Sequence, residues 1–366
     1  MPQPVLEIIP QFQLEGRLID VALYGSGHIH DTYLSRFELD GREVRYIHQW
    51  INHFVFKQPE KVMENIERVT SFTRQQILER GGDPLRETLT LVPTLDGQPY
   101  YRSPEGDSWR TYLFIDGATA YDQPQHPGQL SNAARAYAEF QRLLGALPGE
   151  RLHETIPGFH YTPGRFTAFT QALERDACHR AQSIRSEIDF ILQREEQTSL
   201  VADLLSNGVI PERVTHNDTK LNNVLIDDQT GQGLCVIDLD TVMPGTALYD
   251  FGDSVRMGAS TAVEDEPDLS KVSFNLTAFE ALARGYLELA REFLTPIEID
   301  HLAFSARLIT LEQAIRFLGD YINGDTYYKI HRPGQNLDRA RTQIKMIIEM
   351  EEQETAMEKI IQRFRT

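Results

Sequence analysis

Between residues 214 and 240 the chain gathers groups that can hold a metal ion and move a proton. The run Val214-Thr-His-Asn-Asp218-Thr-Lys220-Leu-Asn-Asn223 places an Asn five residues after an Asp, and Val236-Ile-Asp238-Leu-Asp240 ends an apolar stretch on acids. Between them, Val224-Leu-Ile and Leu234-Cys-Val-Ile flank an Asp-Asp-Gln-Thr-Gly turn, the pattern of a short hairpin. Transfer of a phosphoryl group from ATP to a hydroxyl needs a carboxylate to orient and deprotonate the acceptor. It also needs an amide oxygen and a second carboxylate to keep magnesium on the phosphates. Asp218, Asn223 and Asp238 offer those groups in that order: Asp218 as the base, Asn223 and Asp238 as metal ligands. Lys220, two residues past the base, can neutralise charge on the moving group. His216 reads as a structural hydrogen-bonder of the loop. Each half of this constellation alone would be ordinary turn chemistry; a hairpin joining the two favours the chemical reading.

The elements that must position these groups are legible as periodicity. Residues 18–23, 32–39 and 44–48 alternate as strands, with an Asp40-Gly41 hairpin turn and a glycine-containing connection, Tyr24-Gly25-Ser-Gly27-His28-Ile-His-Asp31, between antiparallel strands. From Pro59 to about Arg80 apolar residues recur at helical spacing (Val62, Met63, Ile66, Val69), ended by Gly81-Gly82. Residues 87–93 and 110–115 are expected as two further strands. Beyond residue 130 the pattern is helical over 132–147, 167–197 with breaks, 277–293, 296–322 and 336–365. The expected fold class is therefore α+β and two-lobed: a small antiparallel-sheet lobe with one helix, residues 1–116, and a larger, mostly helical lobe, residues 117–366. The chain's 366 residues exceed what one core usually holds, which also favours two lobes.

Composition narrows the function. Lys and Arg number 36 against 54 Asp and Glu, a net charge of −18, and such a surface repels a nucleic-acid backbone. An anionic nucleotide then needs a local cationic or metal-filled pocket. Cys178 and Cys235 are the two cysteines, with no spacing for a zinc knuckle or a disulfide framework. The start, Met1-Pro-Gln-Pro-Val, has no charged segment followed by an apolar one, and no long apolar run occurs, so a cytoplasmic, non-membrane protein is expected, a monomer or weak dimer.

Five blocks resemble the aminoglycoside phosphotransferase and choline kinase superfamily, and within it the N-acetylhexosamine 1-kinases. They are Tyr24-Gly-x-Gly-His-Ile-x-x-Thr-Tyr-Leu, Thr215-His-Asn-Asp-Thr-Lys-Leu-Asn-Asn-Val-Leu, Ile237-Asp-Leu-Asp-Thr-Val-Met-Pro-Gly, Tyr249-Asp-Phe-Gly-Asp-Ser-Val-Arg and Arg316-Phe-Leu-x-Asp-Tyr-x-x-Gly-Asp-x-Tyr. The resemblance implies a protein-kinase-like fold and a reaction of Mg²⁺, ATP and an N-acetylhexosamine (GlcNAc or GalNAc) that gives the sugar 1-phosphate. It implies that His28, Asp218, Arg316 and Tyr327 line the sugar pocket. In this context Gly25 and Gly27 lie over the phosphates, Phe114 and Ile115 at the lobe boundary meet adenine, and Asp250 braces the catalytic loop. The alternatives are a kinase of another small hydroxyl compound (an aminoglycoside, choline, a different sugar) or a non-catalytic nucleotide- or sugar-binding module. One departure stands out: the strand Val44-Arg45-Tyr-Ile-His48-Gln49 has no Lys to pair with phosphate. Arg45, His48 or Lys57 are the available substitutes, Glu64 and Glu67 lack an evident partner, and a metal role for Asp240 stays open.

Overall fold

The computed structural model describes residues 3–25 and 29–365; Gly27 and His28 lie outside the described residues. After α1 (Gln3–Ile8) come strands β1 (Arg17–Leu23), β2 (Asp31–Leu39) and β3 (Arg42–Ile51), then α2 (Pro59–Glu79), the edge strand β4 (Tyr101–Arg102) and β5 (Ser108–Leu113). These strands form one antiparallel sheet in the order β1-β2-β3-β5-β4. Alternation sends Tyr46, Phe37 and Trp109 to one face, where Val5 and Ile8 of α1 and Phe12 close over them. Ile51 and Tyr112 point to the other face, against Val62, Met63, Ile66 and Val69 of α2. Burial of each such side chain contributes about 1.5–3 kcal/mol. The expected strand at 87–93 forms only a bridge, Leu91 to Tyr112. Pro93 lacks an N–H, and β4 pairs with β5 further along.

The larger lobe carries the site on small β-ladders set among helices. In chain order it contains β6 (Ala118–Thr119), α3 (Pro127–Leu144), α4 (Thr162–Arg175), α5 (Arg185–Leu192), α6 (Leu200–Ser206) and β7 (Arg213–Thr215). There follow β8 (Val224–Asp227), β9 (Gly233–Val236), β10 (Met243–Gly245), α7 (Ala247–Gly258), α8 (Leu276–Ala290), α9 (Pro296–Asp300), α10 (Leu302–Ile322), α11 (Gln335–Glu352) and α12 (Glu354–Phe364). The helix expected over 296–322 is two. Thr295 and Glu298 close a capping box at the start of α9, and α10 begins afresh after His301. The last helix likewise divides at Gln353. Helix α7 is absent from the sequence expectations although Leu248, Phe251 and Val255 recur at helical spacing; nearly every residue in it is buried, and it packs on α10 while α3 packs on α8. Among the described residues no helix is long and apolar enough to cross a membrane.

Two ladder registers set the site. Strand β7 pairs with β10, Thr215 opposite Met243, and β8 pairs with β9, Val224 opposite Val236. The loop leaving β7 and the segment leaving β9 are thereby pinned side by side. Gly245 is required at this crossing, because a Cβ there would run into Thr215 Oγ1 and Asn217 Oδ1.

Candidate active site

The turn after β7 is held by backbone capture. Asn217 adopts the left-handed conformation (φ 65°), which Asn tolerates, and its amide donates to the carbonyls of Thr215 (3.1 Å) and Thr241 (2.9 Å). His216 Nε2 faces the Ile237 carbonyl at 2.9 Å and must donate, so Nδ1 is the acceptor for the Asp218 N–H at 3.3 Å. Both ring nitrogens are spent on the scaffold. From the first turn of α7, Asp250 accepts from the N–H groups of His216 (2.9 Å) and Asn217 (2.7 Å) and from Gln141 (2.5 Å). Asp253 takes the Thr219 N–H at 3.0 Å and is itself paired with Arg256. With this bracing the backbone of the loop needs nothing from Asp218.

The Asp218 carboxylate is consequently free to face the cleft, where 19% of its side-chain surface remains exposed. Lys220 Nζ lies 2.9 Å from Oδ2, and the Asn223 amide donates to both the Asp218 carbonyl (2.9 Å) and Oδ2 (3.2 Å). Burial is the largest influence on this carboxyl and would raise its pKa. The Lys220 ammonium, aided by Arg256, outweighs it and holds Asp218 below the usual carboxylate range. With its N–H₂ spent on Asp218, Asn223 keeps its amide oxygen without a hydrogen-bond partner among the described residues. Its own carbonyl accepts the Ile237 N–H at 2.9 Å, which sets Asn223 next to Asp238.

Asp238 departs from β9 in the left-handed region (φ 58°) and has no hydrogen-bond or ion-pair partner among the described residues. Solvent reaches it, yet the surrounding walls strip away much of its water. That loss of hydration, with Asp240 and Asp218 close by, pushes its pKa up to about 6. Asp240 is the opposite case. It is buried, both oxygens accept from Arg110 of β5 (2.7 and 2.5 Å), and His30 Nε2 stands 3.4 Å from Oδ1. Despite its burial, the Arg110 guanidinium, with the His30 ring N–H beside Oδ1, holds its carboxyl far below the usual range. His30, Asp238 and Asp240 cluster within reach of a single ion. His30 Nδ1, however, accepts the Asn52 N–H at 3.1 Å, so Nε2 carries the ring proton and offers no lone pair. What remains for a divalent cation is the unpartnered amide oxygen of Asn223 and the unpartnered carboxylate of Asp238. A hard cation with oxygen ligands fits there, because it would relieve the carboxylate crowding that raises Asp238.

The candidates for the missing phosphate-pairing Lys fall on different sides of the sheet. His48 is enclosed between Ser35 Oγ (2.7 Å) and Thr111 Oγ1 (2.8 Å), with burial pushing its pKa down to about 3, and it faces away from the cleft. Arg45 lies over the Phe114 ring at 4.1 Å and pairs with Asp116, and Lys57 is exposed before α2. Glu64, for which the sequence suggested no partner, meets His153 at 2.8 Å on the surface. At the lobe boundary Tyr24 stands edge-on to Phe114 with centroids 6.0 Å apart, and the Phe114 N–H is bonded to Arg45. Neither backbone polar group of Ile115 has a partner among the described residues, leaving a donor and an acceptor for the edge of a base. Gly25 turns at φ 80° just before the segment that is not described.

Arg316 and Tyr327 line a separate cavity of about 180 Å³ together with Arg165, Phe169, Asp320 and Tyr328. The Arg316 guanidinium sits 5.5 Å from the Phe159 ring centroid and 5.6 Å from that of Tyr328, and Tyr327 is 65% exposed. The Tyr328 hydroxyl and Arg165 Nε are buried without partners. No hydrogen bond or ion pair joins Arg316 or Tyr327 directly to Asp218. The link runs one turn back on α10: Glu312 contacts His160 Nδ1 (2.8 Å) and accepts from Thr162 (2.7 Å), and His160 Nε2 donates to the Asn217 carbonyl at 2.9 Å. Burial would lower the pKa of His160, but the Glu312 carboxylate and the Asn217 carbonyl raise it, as a buried imidazolium–carboxylate pair requires. Thus Asp218, Lys220 and Asn223 are joined by hydrogen bonds with Asp238 beside them, and Arg316 and Tyr327 line the separate cavity. Sequence reasoning missed Arg110, His160 and Glu312. For Arg110 a signal existed, since a lone cation within Ser108-Trp-Arg-Thr-Tyr-Leu demands a buried partner.

Comparison with known proteins bears on the family and the fold. A family model described as phosphotransferase enzyme family matches residues 40–289. Among solved structures, the fold is similar to an aminoglycoside phosphotransferase from Alicyclobacillus acidocaldarius (15% identity, TM-score 0.59, covering 100% of this chain and 96% of that one). It is similar to a choline kinase from Cryptosporidium parvum (12%, TM-score 0.59, 92% and 91%) and to a microcompartment-associated aminopropanol kinase (14%, TM-score 0.56, 97% and 98%). At these identities the likeness is one of fold.

Proposed function

We propose, from the premise that the chain belongs to the phosphotransferase enzyme family, that it transfers the γ-phosphoryl group of ATP to the anomeric hydroxyl of an N-acetylhexosamine. The observation that carries the reading is the convergence of Asp218, Asn223 and Asp238 in one cleft, with Lys220 2.9 Å from the base. In this reading residues 115–117 divide a nucleotide-binding lobe, 1–116, from a catalytic and substrate-binding lobe, 117–366, and Ile115 receives the adenine edge. Asn223 Oδ1 and the Asp238 carboxylate would hold magnesium, which when bound would neutralise charge on the phosphates.

Asp218, ionised at neutral pH, accepts the proton of the acceptor hydroxyl as its oxygen bonds to the γ-phosphorus and the bond to the leaving ADP oxygen breaks. The C1 hydroxyl of a sugar is more acidic than an ordinary alcohol, so a carboxylate suffices as base. Lys220 is placed to follow the phosphoryl group once Asp218 is protonated.

The charge of the neighbouring cavity favours a neutral sugar over the cationic acceptors of the rival readings. Two of its walls are Arg165 and Arg316. Its one acid, Asp320, is consumed by the N–H groups of Thr326, Tyr327 and Tyr328 and by Asn336. A polycationic antibiotic or a quaternary amine would find no free carboxylate there, whereas the hydroxyls and amide of GlcNAc can meet guanidinium and phenol donors. Incubation with ATP, magnesium and GlcNAc or GalNAc, followed by NMR, is expected to place phosphate on C1. Phosphate on C6, or turnover confined to choline or an aminoglycoside, would refute the sugar 1-kinase reading.

A further inference from the structure

Arg110 lies on β5 opposite Gln49 of β3, on the face of the sheet that looks into the cleft. Its side chain is 1% exposed. Nε donates to Gln49 Oε1 at 3.0 Å, and the two terminal nitrogens take one Asp240 oxygen each. Gln49 thereby aims the guanidinium, and the fork fixes Asp240 in two dimensions, which a point charge would not do. The pair spans 130 positions in sequence, from the middle of the small lobe's sheet to the segment that carries Asp238. Thr155 Oγ1 fastens the Asp240 carbonyl at 2.7 Å from the other side. An ion pair buried this completely is weak evidence for stability, since apolar residues of equal volume often serve as well. What it supplies is register between two parts that fold far apart.

We propose that Arg110 is a positioning residue: it ties the small lobe's sheet to the metal-facing segment and, by occupying both Asp240 oxygens, leaves Asp238 alone of the two acids to face magnesium. β3 has no Lys to reach from sheet to phosphate, and Arg110 provides the connection one strand over, through protein. This inference rests on the assignment of magnesium to Asp238.

The test uses Mn²⁺ binding to the ADP-bound full-length protein, followed by electron paramagnetic resonance, beside steady-state kinetics. Arg110→Met alone would strand a buried carboxylate, so the informative variant is the charge-free double Arg110→Met/Asp240→Leu, with Arg110→Lys and Asp238→Asn measured in parallel. The double variant is expected to keep its melting temperature, lose roughly 10–100-fold in Mn²⁺ affinity and in kcat, and keep the KM of the sugar. Arg110→Lys, which retains charge without the fork, is expected to fall between it and the parent. A double variant with parental Mn²⁺ affinity and kcat, while Asp238→Asn loses both, would overturn the positioning role alone. Parental Mn²⁺ affinity in Asp238→Asn would overturn the magnesium assignment and this inference with it.

Discussion

Asp218→Asn should fold like the parent and turn over roughly 10²–10⁴ times more slowly, the range contributed by a positioned general base. The folding half of this expectation follows from the division of labour in the loop. Asp250, Asp253 and His216 Nδ1 capture the backbone of residues 216–219, His216 Nε2 ties the loop to the Ile237 carbonyl, and none of those bonds uses the Asp218 side chain. The kinetic half follows from the Lys220 contact, which keeps Asp218 ionised and therefore able to accept a proton throughout the neutral range. An amide in its place still accepts from Lys220 but cannot take the hydroxyl proton. Coupled ADP release measured beside a thermal melt separates the two halves. Parental turnover in a folded variant would remove Asp218 from the chemistry.

Asp238→Asn carries the second large effect, and it has opposite signs on activity and on stability. The apparent magnesium affinity should fall by more than the roughly 10–100-fold typical of groups that merely support a ligand. Without metal the variant should melt higher than the parent at pH 7.5. In the folded chain the Asp238 carboxyl is pushed up to about 6, above the 3.8 of the unperturbed group, because the loss of hydration within the cleft and the Asp240 and Asp218 charges oppose its ionisation. The unfolded chain therefore releases this proton first as pH rises. Stability associated with the protonated carboxyl is complete below about pH 4 and is lost as pH climbs through about 6. Asn has no such loss, so the metal-free melting curves of parent and variant should diverge between pH 4 and 7. Magnesium with ADP should reverse the order at pH 7.5 by stabilising the parent, and should do so less at pH 5, where a proton competes for the same oxygens. Parallel pH profiles in the absence of metal would contradict the crowding of Asp238.

The catalytic constellation was legible because its geometry is nearly local. Asp218 and Asn223 share one loop, and a hairpin of fixed register returns the chain so that Ile237 bonds to Asn223 and Asp238 follows. The sheet was legible through alternation, and α2 through its apolar stripe. Where partners are distant, the sequence is silent. Nothing near Arg110 names Asp240, and nothing near His160 names Glu312, 152 positions away. α7 is short and its spacing of Leu248, Phe251 and Val255 is interrupted by acids and glycine, so Asp250 was identified from its motif and not from a helix. The strand expected at 87–93 shrinks to a bridge: Val92 donates to Thr111 and Thr90 accepts from Leu113, but Pro93 has no N–H to carry the ladder on. Arg316 and Tyr327 came from resemblance, and their cavity became visible only when α10 and the loop after it were folded against α4.

The most direct test is a crystal structure with magnesium, a non-hydrolysable ATP analogue and GlcNAc bound together. The expected complex has the metal bonded to Asn223 Oδ1 and an Asp238 oxygen, Asp240 still locked to Arg110, and the Asp218 carboxylate within hydrogen-bond reach of the C1 hydroxyl. A metal and triphosphate held elsewhere, with Asp218, Asn223 and Asp238 left facing solvent, would contradict the assignment of this cleft to phosphoryl transfer.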